Sequence, residues 1–345
     1  MTPKERADAL KNGKSVDRIP IRMIYGPPSG RLMGDVSSSG TLRDDVDCIK
    51  KVYEVFGMDS IGTAYGLYGV GNAYRAVLEN DLEHPLKNIA DVAKLDLSVL
   101  SVEKDPGAKK CFEVAQVLSE ELKDEITCEM CLPGAFTGVL SLVGLENLLR
   151  ALIRNPDAVH EAMGFVTAGL IQLARSFLEM EIPVSIADPV ASGSVVSKQH
   201  FDEFIAPYST KFIDECNRIR PFGVSGHICG DTSKILESIA GCGYSNVDID
   251  NTVDLAYAKN KIGGIVNISG NVNPAGSLLF GTPSEVERDV RECFRKAWDS
   301  PKGFTINTGC DTARDTPLEN SLAFMKEARK CASFPVNPEY FMEGK

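Results

Sequence analysis

Short β-prone runs alternate with amphipathic helical stretches along this chain, and few folds accommodate that rhythm. Residues 18–26, 60–69, 125–134, 182–190, 222–230, 246–250, 264–274 and 304–311 read as strands. Between them lie stretches with helical periodicity, such as DPGAKKCFEVAQVLSEELK, SKQHFDEFIAPYSTKFIDECNRI and SEVERDVRECFRKAW. Strands that alternate with helices pair in parallel, and eight such units predict a (β/α)8 TIM barrel. No linker rich in Gly, Ser or Pro interrupts the pattern, so residues 1–345 read as one domain. Residues 72–101 do not fit a single strand–helix unit and read as an insertion near the barrel mouth, in the N-terminal third.

The helix starts repeat one piece of chemistry. Thr2-Pro3-Lys4-Glu5, Thr282-Pro283-Ser284-Glu285 and Thr316-Pro317-Leu318-Glu319 each offer an N-cap Thr, a Pro in the first helical turn and a Glu that can close a capping box.

In such a barrel the reactive groups gather at the C-terminal ends of the strands. Here those ends supply Asp188, His227 and Cys229, Asp248 and Asp250, Asn271 and Asn273, and Cys310 and Asp311. His227-Ile228-Cys229 is the most informative group. Residues two apart in a strand share a face, so the imidazole and the thiol converge. Zinc takes nitrogen and thiolate donors, and Cys310 at the last strand end offers a second thiolate. Three protein ligands leave one position open, as a catalytic zinc requires. Cys128 and Cys131 fall three apart on one strand and face opposite sides, so they read as packing, not as a dithiol. His84, His160 and His200 lie in or beside helices or in the insertion and read as local hydrogen-bonding groups. The stretch from Gly69 to Tyr74 completes no phosphate-binding loop.

Composition excludes other classes. The 43% hydrophobic and 25% charged residues suit a globular protein with a large core, and a net charge of -11 disfavours nucleic acid. No run reaches the ~20 apolar residues of a membrane span, and the charged N-terminus lacks a signal-peptide core. The ten cysteines therefore read as cytoplasmic thiols.

Several segments resemble a known family. MTPKERADALKNGKSVDRIPI resembles the opening of the uroporphyrinogen decarboxylase superfamily. IADPVASGSVVSKQHFDEFIAPY, GHICGDTSKIL, GNVNP, LLFGTP and NTGCDTARDTPLENSLAFM resemble its methyltransferase branch, which includes methylcobalamin:coenzyme M methyltransferases. The likeness is densest from Ile186 to Arg329. It implies zinc held by His227, Cys229 and Cys310, the three that spacing selects. By analogy with zinc-dependent methionine synthases, Asp250 is a fourth, displaceable ligand and Asp188 the second choice. Both are assigned to catalysis, and Asn271 and Asn273 to cofactor binding.

The implied reaction moves a methyl group between a methyl-corrinoid and a small thiol or other one-carbon donor or acceptor. No corrinoid motif of the DxHxxG type is complete, because Ser225 stands where Asp is needed. The cobalamin must then arrive on a separate corrinoid protein. Tyr25, Tyr65, Tyr68 and Tyr74 fall in the variable first third, where they either pack or shape substrate choice. The decarboxylase pattern RQAGRY is replaced by RMIYGPPSGRLMG, which keeps only Gly30-Arg31. A carboxy-lyase and a non-catalytic corrinoid-protein-binding relative stand as the alternatives.

Overall fold

A computed structural model describes residues 1–24, 41–78 and 84–342. Seven strands occur among them: β1 (Ile61–Ala64), β2 (Cys128–Pro133), β3 (Val184–Ala187), β4 (Ser225–His227), β5 (Asn246–Asp248), β6 (Asn267–Val272) and β7 (Phe304–Thr308). Within each unit, neighbours in the sheet follow chain order. Pairing is parallel from β2 to β4 and from β5 to β7. A helix follows each strand, which is the alternation that the sequence pattern predicts.

The expected first strand, residues 18–26, is reduced to isolated bridges. Ile21 pairs in parallel with Ile306 of β7, and Arg18 pairs antiparallel with Ser333. The Ile306 N–H donates to the Pro20 carbonyl at 3.1 Å, and the Arg22 N–H donates to the Ile306 carbonyl at 2.9 Å. Pro20 has no N–H with which to extend that ladder. Among the described residues, then, seven strands stand where eight are expected, the first being reduced to bridges. Tyr25 and the Gly30-Arg31 pair lie outside the described residues.

Two compact units make up the chain. One comprises Met1–Ile61, Val117–Cys128 and Asn246–Lys345. Its core lies around Ile268, Phe294, Ile306 and Phe324, all fully buried, where the Phe294 and Phe304 rings meet edge to face at 5.6 Å. Glu327 is also fully buried, and it accepts from Arg291 at 2.6 Å, Lys330 at 3.1 Å and the Tyr340 hydroxyl at 2.7 Å. Burial pushes that carboxyl up, but bonds from Tyr340, Lys330 and Arg291 outweigh it and hold its pKa below the ordinary value.

The other unit comprises Gly62–Gln116 and Glu129–Ser245. The long helix Pro156–Glu179 packs on the helix Ala206–Ile219 and on the 3-10 turn Ile89–Lys94. The segment read as an insertion therefore contributes to the packing of this unit. Tyr74 is buried there and donates to the Asp96 carbonyl at 2.9 Å. Tyr65, also buried, donates to the Asp105 carboxylate. Tyr68 is half exposed.

Capping boxes form at Thr2 and Thr282, as the sequence predicts, and a third forms at Thr41 with Asp44. The expected cap at Thr316 does not form. The helix Leu318–Ala332 begins one residue later than the motif implies, with Pro317 at its N-cap and no side-chain cap. Thr316 then sits outside the first turn, beyond reach of the amide it would cap. Among the described residues no single helix is long and apolar enough to cross a membrane.

Candidate metal centre

β4 brings His227 and Cys229 together. Ile228 between them is buried while its two neighbours stay half-buried, the alternation of an extended chain. The ring Nε2 of His227 lies 3.2 Å from Sγ of Cys229. The chain then turns at Gly230, whose φ of +76° favours glycine. The turn is fixed from the preceding loop, because the Asp231 N–H donates to Ser194 Oγ at 3.3 Å. Asp231 in turn accepts the Ser233 N–H at 2.9 Å.

Asp188 follows β3 and is 2% exposed. Its N–H donates to the His227 carbonyl at 2.9 Å, continuing the ladder that pairs Ala187 with His227. Its Oδ1 accepts both the Thr137 N–H, at 2.9 Å, and the Thr137 hydroxyl, at 2.5 Å. The carboxylate thus sits at the N-terminus of the helix Ala135–Val143, whose N-cap, Gly134, has no side chain to cap with. A Cβ at position 134 would stand 2.1 Å from Asp188 Oδ2. Burial pushes the Asp188 carboxyl up to about 6, although bonds from Thr137 and the Phe136 N–H pull the other way. Sequence reading missed Gly134 and Thr137. The signal for them was available: a glycine N-cap directly after a strand marks a helix that is capped from elsewhere.

Cys310 follows β7 and is half-buried. The Gly309 N–H beside it donates to the Val272 carbonyl at 2.8 Å, and the Thr312 N–H beyond it donates to the Ile24 carbonyl at 2.8 Å. Asp250 lies in the turn after β5, where its Oδ1 accepts the Thr252 N–H and hydroxyl, each at 2.8 Å. Asn271 clips that turn by donating to the carbonyls of Asp250 at 3.1 Å and Val253 at 2.8 Å. Asn273 caps the π-helical turn Pro274–Phe280, accepting from the N–H groups of Ala275 and Gly276 at 3.1 and 2.8 Å. Both asparagines thus have structural duties where the sequence suggested cofactor contacts.

Two further thiols and the other imidazoles sit in local contacts. Cys128 is buried and Cys131 half-buried on opposite sides of β2, and none of the ten cysteines forms a disulfide. His160 Nδ1 lies 2.9 Å from the Tyr208 hydroxyl, and His84 Nδ1 lies 3.4 Å from the Ser141 carbonyl. His200 packs 6.1 Å from the Phe204 ring.

Known proteins resemble this chain over much of its length. A methylcobamide:CoM methyltransferase, MtaA of Methanosarcina barkeri, is 24% identical over 339 residues, covering 94% of this chain and 96% of its own. A methylated-thiol–coenzyme M methyltransferase of Methanosarcina mazei is 32% identical over 216 residues, covering 61% of this chain and 53% of its own. Among solved structures, a methyltransferase from Methanosarcina mazei matches 96% of this chain and 99% of its own, with a TM-score of 0.79 at 22% identity, and so shares the fold. The profile of the uroporphyrinogen decarboxylase (URO-D) family matches residues 2–331, from the first capping box to the helix after Cys310, and the chain belongs to that family.

Proposed function

We propose that this chain is a zinc-dependent, corrinoid-linked methyltransferase, with the ion held by His227, Cys229 and Cys310. One observation carries the reading. The ring Nε2 of His227 lies 3.2 Å from Sγ of Cys229, which supports a shared ion, and the family match that runs past Cys310 supports the second thiolate. Zinc bonds of about 2.0–2.3 Å at tetrahedral angles put donors about 3.3–3.8 Å apart, so small side-chain adjustments suffice. One imidazole with two thiols is a zinc donor set, soft enough to disfavour magnesium or calcium. Relatives that align along nearly the whole chain are named methylcobamide:CoM methyltransferases, which supports methyl transfer as the reaction.

Bound zinc would supply Lewis acidity, keeping a substrate thiol deprotonated while its sulfur remains nucleophilic. The chain's own residues do the rest. β4 fixes the spacing of His227 and Cys229, and the Gly309 and Thr312 backbone bonds hold the segment that carries Cys310. Three protein donors leave one coordination position for substrate. Asp250, whose Oδ1 accepts from Thr252, has a second carboxylate oxygen with which it could serve as the displaceable ligand.

The corrinoid arrives on a separate protein in this reading, and the small methyl donor or thiol acceptor enters from the strand ends. In this reading the chain works in the cytoplasm. Elemental analysis of the purified protein and of His227→Ala tests the reading. About one zinc per chain, lost in the variant, supports it. No bound metal and no uptake from added zinc would return the function to a carboxy-lyase or a binding protein.

A further inference from the structure

We propose that Asp188 is a positioning residue: through the loop 188–194 it fixes the main chain from His227 to Asp231, and so the pose in which His227 and Cys229 meet a metal, without being a ligand itself. The inference rests on the zinc reading above. The loop grips the ligand segment at both ends, with the Asp188 N–H on the His227 carbonyl at 2.9 Å and Ser194 Oγ under the Asp231 N–H at 3.3 Å. What anchors the loop is one carboxylate. Asp188 Oδ1 takes both donors of Thr137, and Oδ2 is pressed against Gly134, where no side chain fits.

A carboxylate serving as ligand would present an oxygen to the ion. Here Oδ1 is occupied by the two donors of Thr137, and Oδ2 faces Gly134. The acceptor oxygen also suits its place, because the first turn of a helix presents unsatisfied N–H groups. Helix, loop and strand are therefore tied at a single side chain. Releasing it frees the His227 carbonyl to move with β4, and a shift of a few tenths of an ångström is felt in metal geometry.

Cobalt(II) binding to the metal-free, full-length protein tests this, read from the thiolate-to-cobalt absorption and the visible d–d bands. The comparison is among wild type, Asp188→Ala, Asp188→Asn and Thr137→Val. Asp188→Ala should weaken affinity about 10- to 100-fold, as supporting residues around metal sites do, and should shift the d–d bands. Asp188→Asn keeps an acceptor for Thr137 and should restore affinity to within a few-fold of wild type. Thr137→Val removes only the hydroxyl and should fall between them.

Wild-type affinity and spectrum in Asp188→Ala would overturn the proposal. So would loss in Asp188→Asn as deep as in Asp188→Ala with the fold intact, because that would make the charge itself the contribution. If Asp188→Ala does not fold, an unchanged spectrum and affinity in Thr137→Val overturns it equally. Failure of the wild-type protein to bind cobalt would instead sink the zinc reading, and this inference with it.

Discussion

The ring Nε2 of His227 stands 3.2 Å from the thiol of Cys229, two residues further along the chain. A strand delivers that convergence without help from the rest of the fold, whereas Cys310 must be brought from the end of β7. Cys310→Ser should therefore lower zinc affinity about 100-fold or more and abolish methyl transfer while leaving the melting temperature nearly unchanged. Full activity in a metal-free Cys310→Ser protein would end the zinc mechanism.

The Asp188 carboxyl gives stability a pH signature. Its folded pKa of about 6 lies above the ordinary 3.8, so the fold favours the protonated form. That contribution is complete below about pH 4 and is lost as pH rises through about 6. A shift of about two units amounts to about 3 kcal/mol. Denaturation from pH 4 to 7.5 should show wild type losing about that much relative to Asp188→Asn. A difference that stays flat with pH would show that burial does not govern this group.

Gly134→Ala drives a methyl group into Asp188 Oδ2. We expect a loss of about 2–3 kcal/mol by urea unfolding, at the upper end of ordinary overpacking. In the double variant with Asp188→Gly the added cost of Gly134→Ala should largely vanish, because the Asp188 Cβ itself lies 2.4 Å from the new methyl. Strictly additive losses would place the clash elsewhere.

Glu327 collects three donors in the core. Glu327→Ala removes the buried acceptor shared by Arg291, Lys330 and Tyr340 and should cost about 2–3 kcal/mol, since several hydrogen bonds to a charged group are lost together. Tyr340→Phe removes one hydrogen bond to a carboxylate and should cost about 1–2 kcal/mol. A thermal melt that does not rank the two in this order would refute the account.

Asn271 separates a structural role from a binding one. Asn271→Ala unclips the Asp250–Val253 turn and should destabilise by about 1–3 kcal/mol, since two buried carbonyls lose their donor. If Asn271 instead contacts a substrate or cofactor, KM rises with no loss of stability. Measuring both distinguishes the outcomes.

Periodicity and spacing made much of this legible in the sequence. Seven of the expected strands appear at the predicted places because alternation of apolar residues and turn chemistry is local information. The His227–Cys229 convergence is equally local, following from the two-residue repeat of a strand. Legibility failed where a neighbour distant in sequence decides. Pro20 shortens the first strand to a bridge by lacking a ladder donor. Thr316 loses its cap because its helix starts one residue late. Asn271 and Asn273 also hold backbone groups of neighbouring turns, duties that no local pattern announces. Thr137 and Gly134 were invisible for the same reason: their meaning lies in a carboxylate about fifty residues away.

The fit of Asp188 over Gly134 has an evolutionary corollary. The two positions behave as one heritable character, since a side chain at 134 and a carboxylate at 188 exclude each other sterically. Sequences descended from a common ancestor should keep glycine at 134 wherever they keep aspartate at 188, and lineages that gain a larger residue at 134 should already have lost the acid.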